Sequence, residues 1–154
     1  MGYCGEYCGA CGIYQGKMRE AVQNLQQIIQ AYRFDKIPEK LSQWDPAFQH
    51  YKQFEEVLNS FGRMFQECPG CPQNGGDPEC PARKCCTARN LKACYECADL
   101  EGCKKLPPDS RKDSLTIRTK GTEAWLKEME RKVAEGYCYL DEKTEPRKNQ
   151  PHLN

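Results

Sequence analysis

The segment that decides the fold is 68–103, which reads CPGCPQNGGDPECPARKCCTARNLKACYECADLEGC and holds eight of the chain's twelve cysteines. Two C-x-x-C pairs, Cys68/Cys71 and Cys94/Cys97, have the spacing at which a tight turn directs two sulfurs at one metal ion. Several prolines and the Gly75-Gly76 turn disfavour regular structure in this segment, so it needs cross-links to fold. We therefore expect metal binding and folding to be one event here.

A second set of thiols stands at the N-terminus, where residues 1–14 read MGYCGEYCGACGIY. Cys4, Cys8 and Cys11 alternate there with glycines. The same cysteine spacing holds the iron–sulfur cluster of radical S-adenosylmethionine enzymes. Those enzymes wrap the cluster in a barrel of roughly 200 residues or more, and a chain of 154 residues has no room for one.

The composition is that of a polar chain in which thiols, more than apolar packing, hold the structure together. Hydrophobic residues make up 38% of the sequence and the mean hydropathy is −0.88. No apolar run of 18 residues and no secretory signal are present, so a cytoplasmic location is expected. Because a cytosol keeps most thiols reduced, metal binding is favoured over disulfides.

Apolar residues recur at steps of three and four in three places, which predicts three amphipathic helices. The first covers residues 17–33, and the third covers about 122–135. The second begins at Asp45-Pro46, an N-cap followed by a first-turn proline, and ends before Cys68. We expect the first two to form a hairpin that buries both apolar stripes in a shared core. The second helix carries an aromatic-rich stripe: Phe48, Tyr51, Phe54, Val57, Leu58, Phe61, Met64 and Phe65.

The cysteine motifs resemble those of a prokaryotic family known as domain of unknown function 3795, which is thought to bind zinc. The likeness covers roughly residues 3–135 and rests on Cys-Gly-x-x-Cys-Gly-x-Cys, C-P-G-C, C-P-A-R-K-C, C-Y-E-C and a closing cysteine. The resemblance implies a zinc-binding protein and brings no established activity with it. The family's repeated positions correspond here to Cys4, Cys8, Cys11, Cys68, Cys71, Cys80, Cys85, Cys94, Cys97 and Cys103.

The resemblance also implies that Cys4, Cys8 and Cys11 supply most of a tetrahedral site whose fourth ligand comes from the cysteine-rich segment. Cys86 is a further candidate ligand, and Cys138 is expected to be a small buried residue. Twelve cysteines suffice for three four-sulfur sites and ten for two, and the sequence leaves both arrangements open. All-sulfur ligation suits zinc and iron–sulfur clusters; separated C-x-x-C pairs favour zinc, with the cluster as the alternative.

Catalysis has little support in the sequence, which contains no metalloprotease, deaminase, hydrolase or nucleotide-binding motif. A thiol- or metal-centred redox enzyme or electron carrier is therefore the alternative, and a non-catalytic role is favoured. Arg83 and Lys84, beside Cys85 and Cys86, are expected to offset the negative charge of a thiolate centre.

The charge distribution bears on the partner. Residues 104–120 hold six basic and two acidic side chains, whereas the whole chain has a net charge of +1 and a pI near 7.4. A dedicated nucleic-acid binder is more basic than this, so a nucleic-acid accessory factor is only a second alternative. We expect a small metal-binding module that serves as a binding or accessory protein, with protein partners and no membrane contact.

Together these patterns predict a mainly α fold with little or no β-sheet: a helical hairpin and a C-terminal helix joined by irregular cysteine-rich metal-binding loops. One metal-stapled domain is expected over residues 1–138. It comprises the N-terminal cysteine loop and hairpin (1–67), the metal-binding segment (68–103) and a basic segment with the last helix (104–138). A polar tail is expected over residues 139–154.

Overall fold

The fold is built of short helices joined by turns. The structure, a computed structural model, describes the backbone of residues 1–144 and the side chains of residues 1–141. No β-strand occurs in this range, so the predicted mainly α fold with cysteine-rich loops is confirmed. The α-helices are α1 (Lys17–Ala31), α2 (Pro38–Leu41), α3 (Tyr51–Met64), α4 (Pro81–Ala88), α5 (Pro108–Lys120), α6 (Thr122–Ala134) and α7 (Tyr139–Thr144).

Backbone contacts divide the described chain into two compact units. Residues 16–68 form the first, which we call the hairpin unit, and residues 1–15 with 69–144 form the second, the cysteine unit. Eleven of the twelve cysteines lie in the cysteine unit, and Cys68 closes the hairpin unit. The single metal-stapled domain over residues 1–138 stays a prediction. Among residues 1–144 no helix is long and apolar enough to cross a membrane.

The hairpin unit pairs α1 with α3 in antiparallel directions. The Gln26 amide donates to the Asn59 side-chain oxygen at 2.8 Å, and the Arg19 guanidinium donates to the carbonyl oxygen of Gln66 at 2.9 Å. Asp45 caps the approach to α3 as predicted, because its carboxylate accepts from the Ala47 amide at 2.8 Å. A 3-10 turn, Pro46–His50, intervenes before α3 begins.

Burial in the hairpin unit is smaller than the sequence predicts. Val22 and Leu58 are the buried side chains of α1 and α3, whereas much of both apolar stripes is exposed. The prediction that both stripes lie in a shared core is therefore wrong in extent. The reason is geometric: two helices in contact cover one seam on each other, and an apolar stripe wider than the seam stays uncovered without a second layer.

The cysteine unit contains two small cores. One is formed by Ala82, Cys86, Cys94, Leu100 and Leu106. The other joins the N-terminal loop to α5 and α6 through Ala10, Ile117, Trp125 and Met129. Helix α4 lies inside the cysteine-rich segment, where the sequence predicted no regular structure. It forms because Pro81 occupies the first turn, where the missing N–H costs no helical hydrogen bond.

The C-terminal part is more helical than predicted. Helix α6 matches the third predicted helix, and α5 occupies most of the basic segment. Helix α7 begins at Tyr139, where the sequence predicted the start of the polar tail. Cys138 before it is fully buried, and the Tyr139 hydroxyl donates to the Asp113 carboxylate at 3.1 Å, so this part packs against the unit. The rest of the predicted tail, residues 145–154, lies outside the described residues.

Candidate metal centre

The N-terminal loop is held against the rest of the cysteine unit by four hydrogen bonds in five residues. The Cys94 amide donates to the Tyr3 carbonyl at 2.8 Å, and the buried Ser114 hydroxyl donates to the Cys4 carbonyl at 2.7 Å. Two further bonds complete the attachment. The Glu6 carboxylate accepts from the Ser110 hydroxyl at 2.8 Å, and the Tyr7 amide donates to the Tyr139 hydroxyl at 3.0 Å. The loop that carries Cys4 and Cys8 is thereby fixed beside the cysteine-rich segment.

The Cys4 and Cys71 sulfurs lie close to Gly2, and Cys8 interacts with Cys71. We call Cys4, Cys8 and Cys71 the N-terminal thiol group. A Cβ placed on Gly2 would lie 3.4 Å from the Cys71 sulfur and 3.5 Å from the Cys4 sulfur. The Cys4 and Cys71 sulfurs therefore both lie within van der Waals reach of this one position. The group brings together cysteines that are more than 60 positions apart in the sequence, which local spacing cannot reveal.

Cys8 and Cys71 share a hydrogen bond between their sulfurs. The bond from the Cys71 thiol holds the pKa of Cys8 below its usual range, and the nearby amino terminus contributes in the same direction. The same bond raises the pKa of Cys71. Burial, helped by the Glu6 carboxylate, raises the pKa of Cys4 to about 11. Metal binding at this group would release protons from the thiols, because a metal ion binds the thiolate form.

Five further cysteines line a cavity of about 490 Å³ in the cysteine unit, and we call them the cavity thiol group. The cavity is walled by the end of α4, the Cys94–Glu96 turn and the loop that leads to Leu106. Leu100 and Leu106 form its apolar floor and are buried. The cavity thiol group consists of Cys85, Cys86, Cys94, Cys97 and Cys103.

Cys86 and Cys94 are the closest measured pair of this group, with sulfurs 3.5 Å apart. Both are buried, and burial raises the pKa of each thiol. Four sulfurs bound to one zinc ion at about 2.3 Å stand about 3.8 Å apart. The separation of this pair therefore fits two ligands of one ion and is far longer than the ~2.05 Å of a disulfide.

Two cations face the cavity sulfurs, and they are not the ones that the sequence predicted. The Arg89 guanidinium donates to the Cys97 sulfur at 3.1 Å, and the Lys105 ammonium lies 3.5 Å from the Cys85 sulfur. Arg83 instead binds the carbonyl oxygens of Cys71 and Gly75, and its positive charge works against the raised pKa of Cys71, so it acts beside the N-terminal thiol group. Helix geometry is the reason, because α4 turns neighbouring side chains to different faces.

Lys84, the other predicted cation, forms an ion pair with Glu79. The sequence did not single out Arg89 or Lys105, since neither is adjacent to the sulfur it meets. The chain fold brings them there: Lys105 lies twenty positions after Cys85. The only local signal for such a cation is a basic side chain within a few residues of a C-x-x-C motif. That signal does not identify which sulfur the cation contacts.

Two arginines of the basic segment donate hydrogen bonds to backbone carbonyl oxygens of the cysteine loops. Arg111 donates to the Cys103 carbonyl at 3.1 Å, and Arg118 donates to the Tyr95 carbonyl at 3.0 Å and to the Cys97 carbonyl. These contacts satisfy backbone oxygens that the irregular loops leave without helical partners. Part of the positive charge that the sequence associated with nucleic acid thus has a role inside the cysteine unit.

The remaining candidate cysteines, Cys11, Cys68 and Cys80, belong to neither thiol group. Cys80 packs, with Cys4 and Cys103, against the core that contains Cys86 and Cys94. The Cys11 amide donates to the Cys8 carbonyl at 3.0 Å, and Cys68 belongs to the hairpin unit.

The thiols are adjacent without converging on one point. Among the described residues no set of three or more His, Cys, Asp or Glu side chains is arranged tightly enough to hold a metal ion as it stands. All twelve cysteines carry free thiols. Closing a four-sulfur site in either thiol group therefore requires its cysteine side chains to rotate toward a centre of their own.

Comparison with known proteins gives one match. The model of a family described as "Protein of unknown function (DUF3795)" matches residues 1–108, which include every cysteine except Cys138. No curated protein matches the chain at a significant level. No solved structure does so either.

Proposed function

The chain belongs to the DUF3795 family, and from this premise we propose that it binds zinc through its two thiol groups and acts as a binding or accessory module. The observation that carries the proposal is the buried pair Cys86 and Cys94, with sulfurs 3.5 Å apart in a cavity lined by three more thiols. The thiols of this group are free of disulfides, and four thiolates are a donor set that tetrahedral zinc binds.

The charges around the cavity support the binding of thiolates. Four thiolates around one Zn²⁺ carry a net charge of −2, which is costly to bury unless cations or hydrogen-bond donors offset it. The Arg89 guanidinium at Cys97 and the Lys105 ammonium at Cys85 supply two positive charges at the sulfurs themselves. The cavity thus compensates the charge that the proposed zinc centre would bring.

The N-terminal thiol group supports a second ion. Cys4, Cys8 and Cys71 provide three sulfurs, and Cys80 is a neighbouring thiol that could complete the set, since it packs with Cys4 against the same core. A centre here would cross-link the N-terminal loop to the cysteine-rich segment. Such a cross-link would stabilise the unit mainly by limiting the freedom of its unfolded chain, as structural zinc does in other small domains.

An iron–sulfur cluster is the second candidate for the cavity, and one observation favours it. The cavity of about 490 Å³ is larger than a single ion requires, and five thiols exceed the four that zinc takes. A cluster held by four thiolates would make the chain an electron carrier or a redox enzyme. The two candidates differ in colour, because a cluster absorbs visible light and zinc does not.

The accessory role rests on what accompanies the thiols. His50 belongs to the hairpin unit, and the described residues of the cysteine unit include no histidine that could act as a base. Sites closed by four sulfurs hold structure and leave no open position for a substrate. We therefore propose that the metal centres shape a surface for a protein partner in the cytoplasm.

The test is a metal analysis of protein purified without oxygen, combined with matched serine variants. Cys86→Ser and Cys94→Ser should each lower bound zinc by about one ion per chain, because each removes one of four sulfur ligands. Cys138→Ser is the control, since Cys138 is as deeply buried as Cys86 and has no role in the proposed centres. Folding can be compared across all three by circular dichroism.

Two outcomes would overturn the proposal. Protein that contains no metal yet gives a native, well-dispersed amide spectrum would show that the thiols are only packing residues. Equal metal loss in Cys138→Ser and Cys86→Ser would show that the variants act through unfolding. A broad absorption band near 400 nm, with iron in place of zinc, would instead establish the cluster alternative.

A further inference from the structure

Helices α1 and α3 of the hairpin unit each carry an exposed apolar stripe beside the buried seam. In each helix the exposed residues recur at steps of three and four, so they form one continuous line along the axis. Ile28 is 51% exposed, Val57 54% and Met64 72%. We call these eight side chains the apolar face: Met18, Leu25, Ile28, Tyr32, Phe54, Val57, Phe61 and Met64.

The two stripes lie on the same side of the hairpin. In α1 the buried Val22 follows the exposed Met18 by four residues, and in α3 the buried Leu58 follows the exposed Phe54 by four. Two helices with the same offset between stripe and seam, packed antiparallel, turn both stripes to one side. The other side is polar, as the groove between Gln23, Gln26, Asn59 and Arg63 indicates.

The area of the apolar face is that of a stable interface. A large apolar or aromatic side chain that is about half exposed leaves on the order of 100 Å² uncovered, so eight of them expose roughly 800 Å². The largest apolar patch on a typical monomer is about 300–600 Å². A standard protein interface buries about 800 Å² on each partner, which is what this face offers.

The relief of the face is self-complementary. A groove of about 450 Å³ opens at the Phe54 end of α3, between Leu25, Phe48 and Tyr51. Met64, the most exposed large apolar side chain of α3, projects at the opposite end, ten residues and about 15 Å from Phe54. A two-fold axis between these ends places Met64 of each copy over the groove of the other, so that one contact is made twice.

The border of the apolar face carries little charge, so it does not require a partner of opposite charge. The flanking positions Asn24, Ala31, Gln53 and Ser60 are uncharged, whereas Lys17 is basic and Glu20 and Glu56 are acidic. We propose that the apolar face is the interface between two copies of this chain, whose hairpins pack into a four-helix bundle. The second hairpin supplies the layer that a single helix pair lacks.

The experiment is the molar mass of the full-length, metal-loaded chain in solution, measured by sedimentation equilibrium. At about 50 µM the wild-type mass should be twice the 17.7 kDa of one chain. The double variant Ile28→Glu/Val57→Glu places two carboxylates in the interface of each copy, and it should raise the dimer dissociation constant at least about 100-fold. Both residues are more than half exposed, so the hairpin itself should still fold.

The matched control is Gln23→Glu/Gln30→Glu, which adds the same charge on the opposite side of α1 and should leave the dimer intact. A wild-type monomer at this concentration would overturn the proposal and leave the face for a different protein. A dimer that survives in Ile28→Glu/Val57→Glu would place the interface elsewhere. As a readout without mutation, dilution of the wild type should speed amide exchange in α1 and α3 and not in α5 or α6.

Discussion

Replacing Gly5 by alanine should release the N-terminal loop from α5. Gly5 has φ +92°, a backbone conformation that a side chain disfavours, and a Cβ there would lie 2.6 Å from the Ser114 hydroxyl oxygen and 3.0 Å from the Ser114 amide nitrogen. Ser114 is fully buried, and its hydroxyl donates to the Cys4 carbonyl. The alanine methyl group cannot fit unless the loop moves away.

The magnitude follows from three costs. The positive φ costs an alanine about 1–2 kcal/mol. Forcing a methyl group against the helix backbone costs about 1–3 kcal/mol, and losing the Ser114 hydrogen bond costs about 1 kcal/mol. We expect Gly5→Ala to lower the free energy of unfolding of the cysteine unit by about 3–6 kcal/mol and to lower metal binding by the N-terminal thiol group.

Two other glycines of the same unit separate these costs. Gly121 has φ +85° with nothing within 4 Å of its Cβ position, so Gly121→Ala should cost only about 1–2 kcal/mol. Gly102 also has open space and has no positive φ, so Gly102→Ala should be nearly neutral. Urea unfolding followed by circular dichroism measures all three. If Gly5→Ala costs no more than Gly121→Ala, the close approach of the loop to α5 does not exist.

Two further predictions concern the packing of the cysteine unit. Leu100→Ala should destabilise the unit by about 2–5 kcal/mol in urea unfolding, because Leu100 is fully buried in the core that holds Cys86 and Cys94. A loss of stability below about 1 kcal/mol would show that this core is not packed. Tyr139→Phe should cost about 1–2 kcal/mol at pH 7, since the Tyr7 amide loses its acceptor. Burial raises the pKa of Tyr139 in the folded state, so the wild type loses stability as pH rises above the ordinary tyrosine value of about 10. The gap between wild type and Tyr139→Phe should therefore narrow above pH 10 by up to about 1.4 kcal/mol per pH unit, and a gap constant from pH 7 to 11 would contradict the burial of this hydroxyl.

Local signals in the sequence predicted the elements that have strong periodicity. Helices α1, α3 and α6 follow apolar steps of three and four, and Asp45 caps its segment as its residue type indicates. Helix α5 was missed because its exposed positions are mostly charged and its buried ones include Ser110 and Ser114, which do not read as an apolar stripe. Its signals were a first-turn proline, Asp109 near the start and Gly121 at the end.

The sequence predicts that cysteines form the candidate centre, but it does not predict which cysteines lie together. C-x-x-C spacing identifies Cys94 and Cys97 as neighbours, but the closest measured partner of Cys94 is Cys86, which the family pattern leaves out. The contact depends on α4, whose turn directs Cys86 inward and Arg83 elsewhere. Cysteines brought together by tertiary packing leave no periodic trace in a single sequence.

The most direct test of zinc binding by the thiol groups is X-ray absorption at the metal edge of anaerobically purified protein. We predict zinc with four sulfur neighbours at about 2.3 Å and no short metal–metal distance. The Cys86→Ser variant should lose the zinc ion of the cavity thiol group. The zinc that stays bound should still have four sulfur neighbours. Zinc surrounded mainly by nitrogen or oxygen, or iron with a neighbouring iron, would contradict this prediction.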